Sequence, residues 1–444
     1  MRSLYNFLFT VFLLLFAPYY LLKMWRRGNW RRGFSQRFGH YGTKIKQAVT
    51  NRHVLWLHAV SVGEVNICTQ LIHALEPRVP NLKIVVSTTT STGMGELHKK
   101  LPSHVEKIYY PIDRRKYVQR ALKAIHPEAV VLVEAEIWPN FMWKLRDRGT
   151  PCFLVNARLS ERSYRGYRRF SWLFKPLFAS LRGVGVQNEA DAQRLRHLGT
   201  RPEAIRVVGN LKFDAIKLTE RPLLDVQALL RRLGVDSGAP VLIGGSTHAG
   251  EEALLAQIFR RLRVRFPQLF LIIVPRHFER SKEVAKELSD LGLRFVYRTE
   301  LAVDARYEPG QIECLLVNTT GELRYFYDCA SVIFVGKSLT AQGGQNPIEP
   351  GALGKAMVFG PNMQNFESIA AAFVREGGAV QVQDAAGLES AIAHLLEDEK
   401  RRQHLGQQAL KVVQQNQGAI ERTVEMIVQH LHGEEMYVAP ARRE

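Results

Sequence analysis

The stretch VLWLHAVSVGEVNICTQLIHAL (Val54–Leu75) decides the fold. Its first six residues, VLWLHA, form a short apolar run of the kind that makes a buried strand. From Glu64 to Leu75 the apolar positions return with helical spacing, and only Val60-Ser-Val-Gly63 lies between. A buried strand that passes through a small-residue turn into a helix is the first half of a βαβ unit. Downstream, KIVVST (Lys83–Thr88), KIYYP (Lys107–Pro111), AVVLVEAE (Ala129–Glu136), CFLVNA (Cys152–Ala157), GVGVQN (Gly183–Asn188) and IRVVGN (Ile205–Asn210) repeat the pattern, most with a helical stretch between. A second series begins with PVLIGG (Pro240–Gly245) and continues through LFLIIVP (Leu269–Pro275), ECLLVN (Glu313–Asn318), SVIFVG (Ser331–Gly336) and AMVFG (Ala356–Gly360). The polar, poorly patterned stretch Leu218–Leu233 reads as a linker, and helices near Gly387–Leu396 and Arg401–His432 close the chain. The expectation is an α/β protein of two Rossmann-like, doubly wound domains facing a cleft, with ligands at the carboxyl ends of the strands. The predicted domains are residues 31–218 and 219–432, preceded by an anchor and basic collar at 1–30 and followed by a tail at 433–444.

Bulk properties agree with this division. A chain of 444 residues exceeds one ordinary core. With 46% hydrophobic and 23% charged residues it is globular rather than disordered. Lys and Arg outnumber Asp and Glu by 61 to 42, a formal charge of +19 that favours polyanions: nucleic acid, anionic lipid or phosphorylated substrates. Cys68, Cys152, Cys314 and Cys329 are scattered without a CxxC pair, which points to buried thiols rather than a zinc site or a disulfide framework.

Leu4 to Leu22 carries no charged residue, and Lys23, Arg26, Arg27, Arg31, Arg32 and Arg37 follow it. Its length is close to the roughly 20 residues that span a hydrocarbon core. The basic flank places the downstream chain in the cytoplasm, and Tyr19, Tyr20, Trp25 and Trp30 suit the headgroup level. A segment that does not span could instead lie in the interface beside this collar, which favours anionic lipid.

The chemistry concentrates in loops after strands. His58–Glu64, Gly244–Glu252, Thr319–Leu323 and Gly343–Glu349 each run from an apolar stretch through Gly, Ser, Thr or Asn into a helix start. Small residues let backbone approach a ligand, and free N–H groups at a helix start attract anions. Ordinary βα turns use the same residues, so the case for a phosphate-bearing ligand rests on several such loops together. Glu64 in the first helical turn reads equally as a capping residue or as a catalytic base. A buried strand ending in Glu134-Ala-Glu136 needs a partner or a task for its carboxylates. Lys212 and Arg276 sit at strand ends, where they can hold phosphate or carboxylate. Arg158, Arg162, Arg165, Arg168 and Arg169 read as a solvated helical face or as a site for a phosphorylated lipid. HxxxH, DxD, Walker lysine and Gly-x-Ser-x-Gly spacings do not occur, which argues against metal catalysis, P-loop chemistry and serine hydrolysis.

SVGE (Ser61–Glu64), EAEIWPN (Glu134–Asn140), NARLSERS (Asn156–Ser163), GNLKFD (Gly209–Asp214), VPRHFER (Val274–Arg280), TTGEL (Thr319–Leu323) and GGQNPIEP (Gly343–Pro350) stand in the order found in bacterial 3-deoxy-D-manno-octulosonic acid (Kdo) transferases of lipopolysaccharide synthesis, which the chain resembles from about residue 30 to residue 415. That resemblance implies a GT-B fold and an inverting glycosyltransferase without a cofactor. CMP-Kdo would be the donor and a tetraacylated, bis-phosphorylated lipid A precursor the acceptor, at the cytoplasmic face of the inner membrane. It implies Glu64 as general base, with Glu134 and Lys212 stabilising the transition state. CMP contacts are implied for Pro275 and Arg276, for Gly321, Glu322 and Leu323, and for Asn346, Pro347, Ile348 and Glu349. Gln345 departs from the pattern, since many relatives carry His there. On the residues alone, two rivals stand beside this reading: another nucleotide-sugar enzyme (a UDP-sugar transferase or epimerase), and a non-catalytic, membrane-bound binder of anions or nucleic acid. The latter lacks any helix-turn-helix, RRM or zinc pattern.

Overall fold

Strands made of unbroken β-branched and aliphatic runs must be covered on both faces, which is what parallel sheets between helices provide. The computed structural model describes residues 2–26, 33–134, 137–215, 224–302 and 304–431. Arg27, Trp30, Arg31 and Arg32 of the collar, Glu136, the expected boundary at 218/219, His432 and the tail at 433–444 lie outside them.

The chain divides into two units, Met1–Ala215 with Asn416–Glu444, and Ile216–Gln415. Unit one contains β1 (His53–His58), β2 (Leu82–Thr88), β3 (Glu106–Tyr109), β4 (Ala129–Val133), β5 (Cys152–Ala157), β6 (Gly183–Val186) and β7 (Ile205–Val207). They form one parallel sheet in the order β3-β2-β1-β4-β5-β6-β7. Unit two contains β8 (Val241–Thr247), β9 (Phe270–Pro275), β10 (Phe295–Tyr297), β11 (Cys314–Leu316), β12 (Val332–Val335), β13 (Met357–Phe359) and β14 (Val380–Gln381). These are also all parallel, in the order β10-β11-β9-β8-β12-β13-β14. The two-domain α/β expectation holds. β10 and β14 escaped the sequence reading because two or three residues at a sheet edge carry little apolar signal.

Two boundaries need correction. Residues 416–432 were expected in the second domain, but the segment from Asn416 belongs to unit one. The helix Ala419–Val428 buries Ile420, Val424, Ile427 and Val428 in the same cluster as Leu55 and Leu57 of β1. Asp214 holds its start across some two hundred residues of chain: Gly418 N and Ile420 N donate to the Asp214 carboxylate at 2.8 and 2.6 Å. Gly418, in the left-handed region at φ 78°, breaks the preceding helix Glu399–Asn416 so that the chain can turn. The expected linker Leu218–Leu233 also contains structure. Asp225 caps the helix Val226–Arg232 by accepting from Ala228 N at 2.9 Å, and Val226, Leu229 and Leu230 form its buried stripe. Cys68, Cys152 and Cys314 are buried, Cys329 is half-buried and all four are unpaired thiols.

Asp214→Ala leaves two helix-start N–H groups without their acceptor. It is expected to cost about 1–2 kcal/mol. Thermal melting and limited proteolysis check this: the melting temperature should fall by a few degrees and cleavage should rise near residue 417.

Candidate functional site

The strand order of unit one reverses between β1 and β4, the place where doubly wound sheets open a crevice at their carboxyl ends. Glu64 and Glu134 follow these two strands. Ser61 caps the helix Val62–Leu75, its hydroxyl accepting from Glu64 N at 3.3 Å. The Glu64 carboxylate answers by accepting from Val60 N at 2.8 Å and Ser61 N at 3.3 Å. This is a capping box, and the residue is only 7% exposed. Glu64 is therefore a capping residue in its geometry. The same bonds hold its carboxylate in one orientation at the crevice, so capping and proton acceptance are compatible.

β4 stops at Glu134 because that residue turns into the left-handed region at φ 63°, while its N–H still donates to Val155 O at 2.9 Å. A non-glycine residue there stores roughly 1 kcal/mol or more of backbone strain, a cost that collects at functional positions. The turn brings the Glu134 carboxylate to 3.8 Å from Lys212 Nζ, with both side chains partly exposed. Lys212 also lies beside the first turn of the Glu64 helix, since a Cβ on Gly63 would sit 4.0 Å from Lys212 Cε. Glu64, Glu134 and Lys212 thus gather at the ends of β1, β4 and β7.

Three residues missed by the sequence reading hold Lys212 in place. Asn156, Gln187 and Asn210 are buried at the ends of β5, β6 and β7. Asn156 Oδ1 accepts from Leu211 N at 3.1 Å, and Asn210 Oδ1 accepts from Lys212 N at 3.1 Å. Gln187 links them, donating to Asn156 O at 3.2 Å and accepting from Asn210 Nδ2 at 3.1 Å. The signal was present: CFLVNA, GVGVQN and IRVVGN are three apolar runs that each carry an amide side chain in their last two residues. His58 is no competing base, because burial pushes its imidazole down to about 3 and keeps it neutral.

Unit two reverses its order between β8 and β12. There Glu251, fully buried at the start of the helix Glu251–Arg263, accepts from four backbone N–H groups: His248 at 2.9, Lys337 at 2.7, Ser338 at 3.0 and Leu339 at 3.1 Å. One carboxylate joins the loops after β8 and β12. Pro275 is buried at the end of β9, and Arg276 is exposed after it, with its N–H on Thr247 O at 3.0 Å. Gly321 makes its turn at φ 85°. Glu322 is engaged within its own loop, accepting from Thr319 Oγ1 at 2.5 Å and pairing with Arg298 at 3.2 Å. Leu323 opens the short helix that follows, and Tyr327 of that helix packs where Gly245 has no side chain. Asn346 caps the Pro347–Ile348–Glu349 turn, its Oδ1 accepting from Ile348 N at 3.1 Å and its Nδ2 lying 3.4 Å from Glu349 Oε1. Burial pushes the Glu349 carboxyl up, opposed by the hydrogen bond from Asn346 and the charges of Arg324 and Arg276. The helix Glu161–Arg169 buries nothing and leaves Arg162, Arg165, Arg168 and Arg169 exposed, which fits both readings given above.

A family model described as 3-deoxy-D-manno-octulosonic-acid transferase (kdotransferase) matches residues 32–215. A 3-deoxy-D-manno-octulosonic acid transferase of Bordetella pertussis is 32% identical over 428 residues, covering 93% of this chain and 96% of that one. The chain belongs to the Kdo transferase family. It is accordingly a glycosyltransferase. The Haemophilus influenzae 3-deoxy-D-manno-octulosonic acid transferase is 29% identical over 433 residues, 96% of this chain and 99% of its own. Among solved structures, the UDP-GlcNAc 2-epimerase of Neisseria meningitidis shares the fold, with a TM-score of 0.56 at 14% identity over 85% of this chain and all of that one.

The double use of Glu64 separates its two roles by substitution. Glu64→Ala removes the acceptor for Val60 N and Ser61 N and is expected to cost about 1 kcal/mol. Glu64→Gln keeps one of the two acceptor oxygens and should lose less stability than Glu64→Ala, which paired thermal denaturation measures.

Proposed function

We propose that the chain transfers Kdo from CMP-Kdo, with inversion, to a hydroxyl of a tetraacylated, phosphorylated lipid A precursor at the cytoplasmic face of the inner membrane. The observation that carries this reading is the fixed Glu64 carboxylate beside the Lys212–Glu134 pair, in a chain of this family. Glu64 takes the acceptor's proton as its oxygen attacks the anomeric carbon. The bond from that carbon to the CMP phosphate breaks, and its electron pair leaves with CMP. Positive charge grows on the sugar ring, where Glu134 offers a carboxylate. Negative charge grows on the phosphate, to which Lys212 offers a cation; unit two contributes Arg276 and the loops after its strands as the expected holders of the nucleotide. Glu251, by fixing those loops, spares them reorganisation during the reaction. The apolar helix Arg2–Arg26, of which Arg2–Tyr19 is long and apolar enough by composition to cross a membrane, brings the enzyme to its lipid substrate.

Incubation of the purified chain with CMP-Kdo and the lipid A precursor, followed by mass spectrometry, tests donor and acceptor together. The lipid should gain one or more Kdo residues, with one CMP released for each. Unchanged lipid, or equal use of a UDP-sugar, would contradict the assignment. Lys212→Met should lower kcat by roughly two to three decades with a smaller change in acceptor KM, as the loss of one preorganised electrostatic group does.

A further inference from the structure

The helix Arg2–Arg26 has two unlike faces. At 3.6 residues per turn, Leu4, Phe7, Leu8, Val11, Leu14 and Leu15 fall on one side. All are exposed, Leu14 at 73% and Leu15 at 70%. The opposite side carries Arg2, Tyr5, Asn6 and Thr10, and its first turns are fastened to unit one. Tyr5 Oη donates to Asp113 Oδ2 at 2.8 Å. Asp113, only 2% exposed, also accepts from Asn140 N at 3.0 Å and Phe141 N at 2.9 Å. Asn6 and Asn140 exchange carboxamide bonds at 3.2 and 3.0 Å. Arg2 forks onto Asp147, two bonds of 2.7 Å, and Tyr5 meets Trp143 edge to face at 5.6 Å. A carboxylate buried as deeply as Asp113 depends on every donor it has, so Tyr5 belongs to that network.

The chain after the helix is tied to the same unit. Gln36 Oε1 accepts from Tyr109 N at 2.7 Å, Arg37 donates to Thr89 O at 2.7 Å, and Phe38 packs on Tyr117. From Arg26 to Gly33 there are seven residue steps, a reach of about 25 Å at most, against about 30 Å of hydrocarbon. A helix whose start is bolted to the catalytic unit, and whose downstream flank is bolted there too, has no route to the far side of the bilayer and back.

We propose that Arg2–Arg26 lies in the membrane interface instead of spanning it, its Leu4–Leu15 face in the acyl region of an anionic bilayer and its other face clamped to unit one. A second observation identifies the surface chemistry. Beside the helix lies a cleft of about 960 Å³, lined by Arg2, Arg114, Arg115, Lys116, Arg120 and Lys144 and, among the described residues, by no carboxylate. Ser3, Asn6 and Thr10 form its helix wall, roughly a third of a turn from the apolar face. With the apolar face down, that wall stands at headgroup depth, where cations meet anionic phosphates. The anchor thereby holds unit one flat against the leaflet instead of tethering it at a distance. This inference rests on the membrane-acting reading above.

The test is the side on which the start of the chain lies. The full chain, carrying a protease site fused ahead of Met1, is produced in bacterial inner membrane and digested in inverted vesicles and in spheroplasts, with Kdo transfer assayed in the same vesicles. Cleavage from the cytoplasmic face alone is the expected result. Cleavage from the periplasmic face, or from neither, overturns the interfacial placement, and persisting transfer then leaves the catalytic reading intact. Loss of transfer in untreated vesicles would sink the catalytic reading instead. For the headgroup cleft, Arg115→Gln and Lys116→Gln should each weaken binding to phosphatidylcholine vesicles containing phosphatidylglycerol by about fivefold and leave binding to pure phosphatidylcholine unchanged. Equal binding of parent and variants to the anionic vesicles would overturn that part.

Discussion

A buried carboxylate gripped by backbone N–H groups is the interaction on which the working parts of this molecule depend. Where a parallel strand ends and a helix begins, the chain leaves N–H groups without partners, and an ionised side chain satisfies them with bonds roughly twice as strong as neutral ones. Glu64 does this for the turn after β1 and Glu251 for two loops of unit two. Asp214 does it for the returning C-terminal helix, and Asp113 for the Pro139–Arg148 helix together with Tyr5. Glu64 fixes its own turn, whereas Glu251, Asp214 and Asp113 each fasten together pieces of chain that lie apart in sequence. A stiff loop matters because an enzyme gains from groups already aimed where charge will develop.

The same economy accounts for the chemistry of unit one. Glu64 is held by its own turn, and Lys212 by the amides of Asn156, Gln187 and Asn210. Glu134 is placed by a strained left-handed turn that ends β4. A partly exposed ion pair such as Glu134–Lys212 adds little stability, so strain and pair together are understood as geometry kept for a reaction rather than for folding. Membership of the Kdo transferase family names the reaction, and the proposed roles of these three groups rest on their gathering at the ends of β1, β4 and β7.

Much of this was legible in the sequence. The long apolar runs, VLWLHA through IRVVGN and PVLIGG through AMVFG, gave twelve of the fourteen strands, because a strand buried on both faces has to be apolar throughout. Glu64, Glu134 and Lys212 stood out as charged residues at the ends of such runs. What stayed hidden was non-local. Nothing near Asp214 says that its partners are Gly418 and Ile420, so the last helix was assigned to the wrong domain. Nothing near Tyr5 says that it bonds Asp113, so the sequence left the first helix with two placements, across the membrane or along its interface. Glu251 was visible only as one acid in GGSTHAGEE, since the four N–H groups it serves come partly from residues 337–339.

The central claim is that the clamped Glu64 carboxylate accepts the proton of the attacking hydroxyl. Single-turnover transfer by Glu64→Gln, with CMP-Kdo and lipid acceptor both saturating, tests it most directly, because the amide removes the base while keeping one acceptor oxygen for the cap. The account predicts a transfer rate lower by roughly two to four decades in a variant that remains folded at the assay temperature. A rate within threefold of the parent would contradict it.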